Sequence, residues 1–495
     1  MSLVKRSFYL FISNIYFQII GYIATFFMAR YLGVSKEGLI VFGSYMFLVL
    51  VINMITGLAD IGVSTAFERE IASGTAEKEV VGTYIIYRFI TTGLVAFVII
   101  LFSQQISQFF NINDVFAVQI AALIPVVWVP TRVFARLNIA KGRTLYSQLP
   151  NIIEYTLRTI LISYSAIFIK TTSSLMLSFL YAALICSILS FVLLFMSISK
   201  FNWLMLKKMF LFSLPIGVAN AIGYFSQMAD NFLISIYGSV FLLGLYSISK
   251  GFLGMLLIIP GIITTLLFPD LVSFFKSHGN GDALANRFIT IQRYFLVIIA
   301  PLVLFIIVYR VNLLHILYSN AFIVVSPDVV ILTISVIPQG YLYMYSTFLM
   351  AIDKQRFQLY FTILKLLITI SISIVLIPSI GMLGAALAVL FSSIITASIS
   401  IVVGYEFLKL YPDIKSVVII LFSASASFVA LALINHIIPL NRWYDLLSVW
   451  IIGFIIYFII LSILREFRKN DVDTLLKPLG IPSFIIHIIK KLFPS

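Results

Sequence analysis

Residues 358–403 read QLYFTILKLLITISISIVLIPSIGMLGAALAVLFSSIITASISIVV. Two apolar runs, 358–377 and 382–403, flank the short break Pro378-Ser379-Ile380-Gly381. A helix needs about 20 apolar residues to cross the hydrocarbon of a bilayer, so each run is one crossing. The pattern recurs along the chain. Apolar runs separated by short polar or Gly/Pro connections predict spans at 7–29, 39–60, 81–103, 116–138, 150–169 and 175–198. They continue at 210–237, 241–267, 288–308, 327–350, 358–377, 382–403, 416–435 and 446–464. The expected fold is an all-α polytopic membrane protein with about 14 transmembrane helices.

Composition agrees. Of 495 residues, 61% are hydrophobic and 11% charged, against about 25% charged in an ordinary soluble domain. The mean hydropathy is +1.11. A soluble enzyme, a secreted domain and a disordered regulator are excluded. The single cysteine, Cys186, rules out an intramolecular disulfide and a Cys-based metal site. The four histidines fit no metal-ligand spacing, and no cofactor motif is present. Met1 to Arg6 lead into an apolar segment with no small-residue cleavage site, which reads as a retained first span.

The net charge of +14 resolves into topology. With the N-terminus and every even connection on one side, that side gathers 26 of the 33 basic residues. The opposite side holds Arg30, Lys36, Lys170, Arg310 and Arg442, while Arg158 and Lys250 stay inside spans. Both termini are expected in the cytoplasm of a multi-pass cell-membrane protein, and no nucleic-acid partner is needed. The basic tail 465–495 ends in an apolar stretch too short to cross, which suggests an interfacial amphipathic helix.

The chain repeats itself. Arg30-Tyr31-Leu32-Gly33 followed by Gly38-Leu39 matches Ile236-Tyr237-Gly238 followed by Gly244-Leu245-Tyr246. Leu137, Ala140, Lys141, Arg143 and Tyr146 likewise echo Leu349, Ala351, Lys354, Arg356 and Tyr360. The offset equals six spans, so the copies run parallel. The expected organisation is a six-helix lobe at 1–200, a second at 201–408, two added helices at 409–464 and the tail.

Taken in order, several short motifs resemble the multidrug/oligosaccharidyl-lipid/polysaccharide exporter superfamily, and within it the polysaccharide transporter branch of O-antigen and exopolysaccharide flippases. They are Ala29-Arg30-Tyr31-Leu32-Gly33 with Gly38-Leu39, and Leu58-Ala59-Asp60-Ile61-Gly62 with Ala66 and Arg69. The later ones are Ser213-Leu214-Pro215 leading to Asp230, Gly238 and Gly244-Leu245-Tyr246-Ser247, and then Leu267-Phe268-Pro269. The resemblance implies two lobes around a central cavity, alternating access, and a polyprenyl-phosphate-linked glycan carried to the outer leaflet. It implies membrane lipid and polysaccharide-assembly proteins as partners. Related peptidoglycan-precursor flippases carry a basic residue about where Lys250 stands and an Arg where Arg30 stands. Lysine at the first site weakens a bidentate phosphate reading. The extra pair of spans favours the glycan branch over the 12-span drug exporters.

Charges within spans need reasons, since each costs about 2.5–3.5 kcal/mol at the bilayer centre. Lys250 lies roughly 14 Å into its span at 1.5 Å per residue. It reads as a cavity cation for the lipid-linked diphosphate or as the partner of Asp230. Asp230 reads as that partner or as a site of ion coupling. Arg132 and Arg136, four apart, repel unless an anion lies between them, so phosphate binding and snorkelling compete. Arg30 is a further phosphate candidate through the resemblance. Arg88 can pair with Asp60, and Glu154 with Arg158, four apart on one helix, reads as a structural pair. Two other functions were weighed. An ion-coupled exporter of small molecules on the same fold would favour an acidic cavity. A membrane polymerase or glycosyltransferase would need a large outer loop or paired catalytic acids. Walker-type loops are absent, so ATP is not the direct energy source.

Overall fold

A computed structural model describes residues 3–60, 62–74, 76–198, 200–278, 282–435 and 442–466. No strand occurs among them. An apolar chain in lipid must satisfy its backbone polar groups within each segment, and the helix does so locally. In chain order the helices are α1 Leu3–Leu32, α2 Lys36–Asp60, α3 Val63–Ala72, α4 Glu77–Leu101, α5 Ser103–Phe109, α6 Val115–Val127, α7 Val129–Ala140, α8 Thr144–Phe168 and α9 Thr172–Leu194. There follow α10 Trp203–Tyr237, α11 Val240–His278, α12 Asp282–Leu317, α13 Ser326–Ala351, α14 Arg356–Ile380, α15 Met382–Leu408, α16 Ile414–Asn435 and α17 Trp443–Ile463.

Among the described residues, twelve spans are long and apolar enough to cross a membrane, and α6 with α7 forms one of them. The bent helix α10 makes a thirteenth. The fourteenth expected span falls on α8, a 25-residue helix whose Asn151, Glu154 and Arg158 lower its apolarity. The protein is an all-α polytopic membrane protein. The expected tail helix lies in 467–495, outside the described residues.

Helix ends are set by side chains that the sequence supplies. Asp114 caps α6 by accepting from the Ala117 backbone N–H at 3.0 Å, and also accepts from the Ser173 backbone N–H at 2.8 Å. One carboxylate thus ties the starts of α6 and α9 together. Asn202 caps α10 and donates its own backbone N–H to Thr83 on α4 at 3.0 Å. Gly33 and Gly238, matched in the sequence repeat, close their helices in the same way. Each donates its N–H to the carbonyl four residues back, at 2.9 Å. Helix α10 bends by 54° between Leu214 and Ile216, where proline lacks the N–H that would continue the ladder.

The chain clusters into two compact units. The first comprises 1–251, 318–328 and 359–392. Its core packs α3, α4, α7 and the start of α10 around Phe67, Tyr84, Val133 and Met209. Close backbone crossings hold it elsewhere. A Cβ at Gly43 of α2 would lie 2.0 Å from the Val240 carbonyl oxygen, and one at Gly244 of α11 would lie 2.7 Å from Gly43 Cα. Small residues permit this approach, which in lipid replaces the missing hydrophobic drive between helices. At the end of α2, Gly62 takes a left-handed conformation (φ 74°) and sits against the Gly217 backbone.

The second unit comprises 252–317, 329–358 and 393–495. There α16 and α17 pack on α12. Phe428 lies 5.8 Å from the Phe305 ring, and Gly453 leaves room for it. Tyr457 donates to the Val297 carbonyl at 3.1 Å. Phe295 occupies the space that a side chain at Gly340 would fill, and Tyr345 does so at Gly404.

Gly43→Ala should lower stability by about 1–3 kcal/mol, the range for overpacking, because its methyl meets backbone. Gly223→Ala, with nothing within 4 Å, should be neutral or stabilising. Thermal unfolding of the purified protein checks the pair, and equal behaviour of the two variants contradicts the crossing.

Candidate functional site

The turn at Gly238 folds α10 and α11 into a hairpin, bringing residues before the turn opposite residues after it. Asp230, 20 residues before Lys250 and on the other arm, is 1% exposed. The Lys250 ammonium donates to both Asp230 carboxylate oxygens and to the Gln227 carbonyl at 3.1 Å. Tyr246, one helical turn before Lys250, donates its hydroxyl to Asp230 Oδ2 at 2.8 Å. Residues 227 and 230 share one face of α10, and 246 and 250 share one face of α11. The hairpin therefore provides the carboxylate with a full set of donors. From α1, Tyr22 donates to the Gly251 carbonyl at 3.0 Å.

A further cation belongs to this cluster. Lys365 of α14 lies within electrostatic reach of both Lys250 and Asp230. The sequence reading missed it, having counted it with the cytoplasmic basic residues. The signal was present: Lys365 is nine residues into its helix, roughly 14 Å at 1.5 Å per residue. Lys250 lies about as far from the start of α11. Lys365 thus stands as a second cation near the Asp230–Lys250 pair.

The other candidates lie apart from this cluster. Arg30 is exposed at the end of α1, 6.0 Å from the Phe26 ring centre. It is two turns beyond Tyr22, about 12 Å along the helix. Arg132 stacks over Trp128 at 4.5 Å, and its buried Nε has no hydrogen-bond partner among the described residues. Arg136 pairs with Glu68 at 2.7 Å, so a carboxylate answers its repulsion from Arg132. Arg88 pairs with Asp60 at 3.1 Å, and Asp60 also accepts from Ser64 at 2.6 Å. Arg158 lies 3.4 Å from Glu154, with its guanidinium over Tyr155 at 4.0 Å and Phe179 at 4.3 Å.

The partners Glu68 and Glu70 went unread in the sequence. Both sit on the short helix α3. Glu70 holds Lys208 of α10 at 2.8 Å, and neighbouring Arg69 stacks over Phe212 of α10 at 4.2 Å. Short polar helices between spans give no hydropathy signal, which is why this cross-bracing stayed hidden. No group of metal-ligating side chains occurs among the described residues. Chemically, the Asp230–Lys250–Lys365 cluster can hold an anion by point charges from two ammonium groups.

Comparison with known proteins places this geometry. The model of the polysaccharide biosynthesis protein family matches residues 27–327. The probable low-salt glycan biosynthesis flippase Agl15 of Haloferax volcanii is 22% identical over 420 residues, covering 84% of this chain and 85% of the relative. Among solved structures, the lipid II flippase MurJ in an inward closed conformation superposes with a TM-score of 0.71 at 16% identity, over 92% of this chain and 99% of its own. An inward-facing multidrug resistance transporter of the MATE family gives 0.60 at 13% identity, over 79% and 94%. At these identities the two structures share the fold. The family model covers more than half of the chain, so this chain belongs to the polysaccharide biosynthesis protein family.

Proposed function

We propose that the protein is a flippase that moves a polyprenyl-(di)phosphate-linked oligosaccharide or polysaccharide repeat unit from the cytoplasmic to the outer leaflet of the cell membrane. Both termini lie in the cytoplasm, and two six-helix lobes, 1–200 and 201–408, alternate access. The observation that carries the reading is the pair of partly buried lysines, Lys250 and Lys365, about one buried carboxylate. The family and the named flippase relative support the substrate class.

A phosphate-bearing headgroup must leave water without leaving countercharge. Lys250 supplies that charge as a compact ammonium that needs no bidentate geometry. With no substrate bound, Asp230 offsets the cost of holding Lys250 in a dry interior. Bound phosphate takes over that role by competing with the carboxylate for the same donors. Asp230 is then the exchangeable counterion and Lys365 the second electrostatic support. Arg30, at a helix end, meets the headgroup nearer the outer surface. Arg132 and Arg136 already have Trp128 and Glu68, and their role is to brace α7. The polyprenyl tail stays in lipid throughout, and polysaccharide-assembly proteins take the glycan after it crosses.

The fold likeness to multidrug transporters keeps ion-coupled export of small molecules as a second reading. A cluster with two lysines and one paired acid suits an anion better than the cationic compounds such a pump would carry.

Depletion of the protein in its host should trap lipid-linked glycan on the cytoplasmic face, as measured by leaflet-resolved quantification. Wild type should restore the distribution, while Lys250→Ala and Lys365→Ala restore less than a tenth of it, the loss expected when about 1.4 kcal/mol or more of binding is removed. An unchanged distribution on depletion removes the flippase reading. Restoration by both variants removes the cluster from the transport site.

The counterion role has its own check. Asp230→Asn should destabilise the protein by about 3 kcal/mol, the lower end for breaking a buried pair, whereas Asp230→Asn with Lys250→Met should recover most of that loss. Equal destabilisation by the single and double variants, in thermal unfolding, contradicts the pairing.

A further inference from the structure

Asp230 and Asp328 are both buried in the first unit, at 1% and 0% exposure, yet their surroundings are opposite. Asp230 accepts from an ammonium and a phenol. Asp328, at the start of α13, has no hydrogen bond to either carboxylate oxygen and no ion pair among the described residues. Its own backbone N–H lies beside it without meeting hydrogen-bond geometry. Buried Glu154, the other acid whose oxygens accept no hydrogen bond, at least has Arg158 at 3.4 Å. A buried carboxylate with only the N–H groups of its own helix start beside it and no countercharge among the described residues is costly to keep ionised, and loss of its charge by protonation is the ordinary remedy.

A six-residue 3-10 helix, Asn320–Val325, longer than such runs usually persist, leads the chain into α13 and Asp328. The hydrogen bonds that tie this segment to the end of α1 and to α11 are long. Ser319 donates to the Gly33 carbonyl and Ser249 to the Val325 carbonyl, each at 3.5 Å, the outer limit of a hydrogen bond. Phe322 stands against Phe42 at 5.9 Å between ring centres. Lifting these contacts would open the way to Asp328.

We propose that Asp328 is a proton-binding site: its carboxylate takes one proton from water as residues 318–328 close over it, and returns that proton to water when they lift. One O–H bond forms on closure and the same bond breaks on opening. The titratable groups that the structure sets beside Asp328 and its segment are Tyr246 of α11, with Asp230 and Lys250 behind it, and Tyr318 within the segment, which has Tyr22 of α1 as its neighbour. Of these, Tyr246 lies within electrostatic reach of Asp328, and its hydroxyl is committed to Asp230. Asp328 therefore reports to the lysine cluster through Tyr246, and its charge in the open arrangement offsets one lysine. Because the closed arrangement binds the proton, falling pH favours closure and rising pH favours opening. The proton site stands on burial and geometry alone; its influence on an anionic substrate rests on the function proposed above.

Infrared difference spectroscopy of the full-length protein in lipid tests the site without measuring transport, so its failure leaves the flippase reading untouched. A buried carboxylic-acid C=O band, shifted in heavy water, should be present in wild type, Asp230→Asn and Glu154→Gln and absent in Asp328→Asn. Persistence of the whole band in Asp328→Asn overturns the proposal. If that variant fails to fold, Asp328→Glu should move the band, and an unmoved band overturns it.

Opening can be followed by maleimide labelling of Ser319→Cys in a Cys186→Ser background. Its rate is divided by that of Val34→Cys, an 80% exposed position, to cancel thiol ionisation. The ratio should rise with pH by up to about tenfold per unit, the limit for one proton, and by less than about twofold in Asp328→Asn. The same pH dependence in both proteins overturns the proposal.

Discussion

The Asp230–Lys250 ion pair is the interaction on which the interior of this protein turns. In hydrocarbon a polar group has no water to fall back on, so each charge that enters a span must find its partner within the protein. The Gly238 turn sets the hairpin, the hairpin aligns residue 230 with residues 246 and 250, and the three together make a polar island that apolar helices can surround. Lys365 joins it from a helix more than a hundred residues away in sequence. The other intramembrane charges obey the same constraint by different means. Arg88 uses a carboxylate, Arg132 an aromatic face, and Arg158 both.

Close backbone contact is the complement of that constraint. Apolar side chains gain little by leaving lipid for one another, so helices adhere through packing. The crossings at Gly43 with Gly244 and at Gly62 with Gly217 bring backbone against backbone. Longer side chains there would hold the helices apart and pull the polar island open. Conversely, the short amphipathic α3 carries Glu68, Arg69 and Glu70, which tie α7 and α10 with ion pairs and a cation–π contact. These lie where the chain returns to a more polar setting, and an ion pair near the surface is worth much less than one inside. The protein thus uses van der Waals contact in its apolar regions and charge at the margins.

For transport, the choice of lysine over arginine in the cluster matters. A guanidinium fork holds phosphate in one geometry, while an ammonium accepts many. A carrier whose cargo must enter from one side and leave from the other gains from the looser grip. In the transport role proposed above, the paired carboxylate keeps that grip from becoming permanent, since it competes for the same donors.

What could be read from the sequence alone was whatever depends on one segment at a time. Span positions and the all-helical class come from local apolarity, which adds up along the chain without regard to neighbours. The depth of Lys250 was legible for the same reason, and so was Asp230 as one of its two readings. Lys365 has the same depth, yet it was hidden by a charge count that assigned it to the nearest end of its helix. Tertiary structure alone decided which charges meet: Glu68 with Arg136, Glu70 with Lys208, Lys365 near the hairpin, and, among the described residues, no countercharge with Asp328. Those pairings depend on which helix faces which, and hydropathy carries no information about facing. Burial of a charge is a property of its surroundings, and in a bundle of helices the surroundings come from segments far apart in the chain.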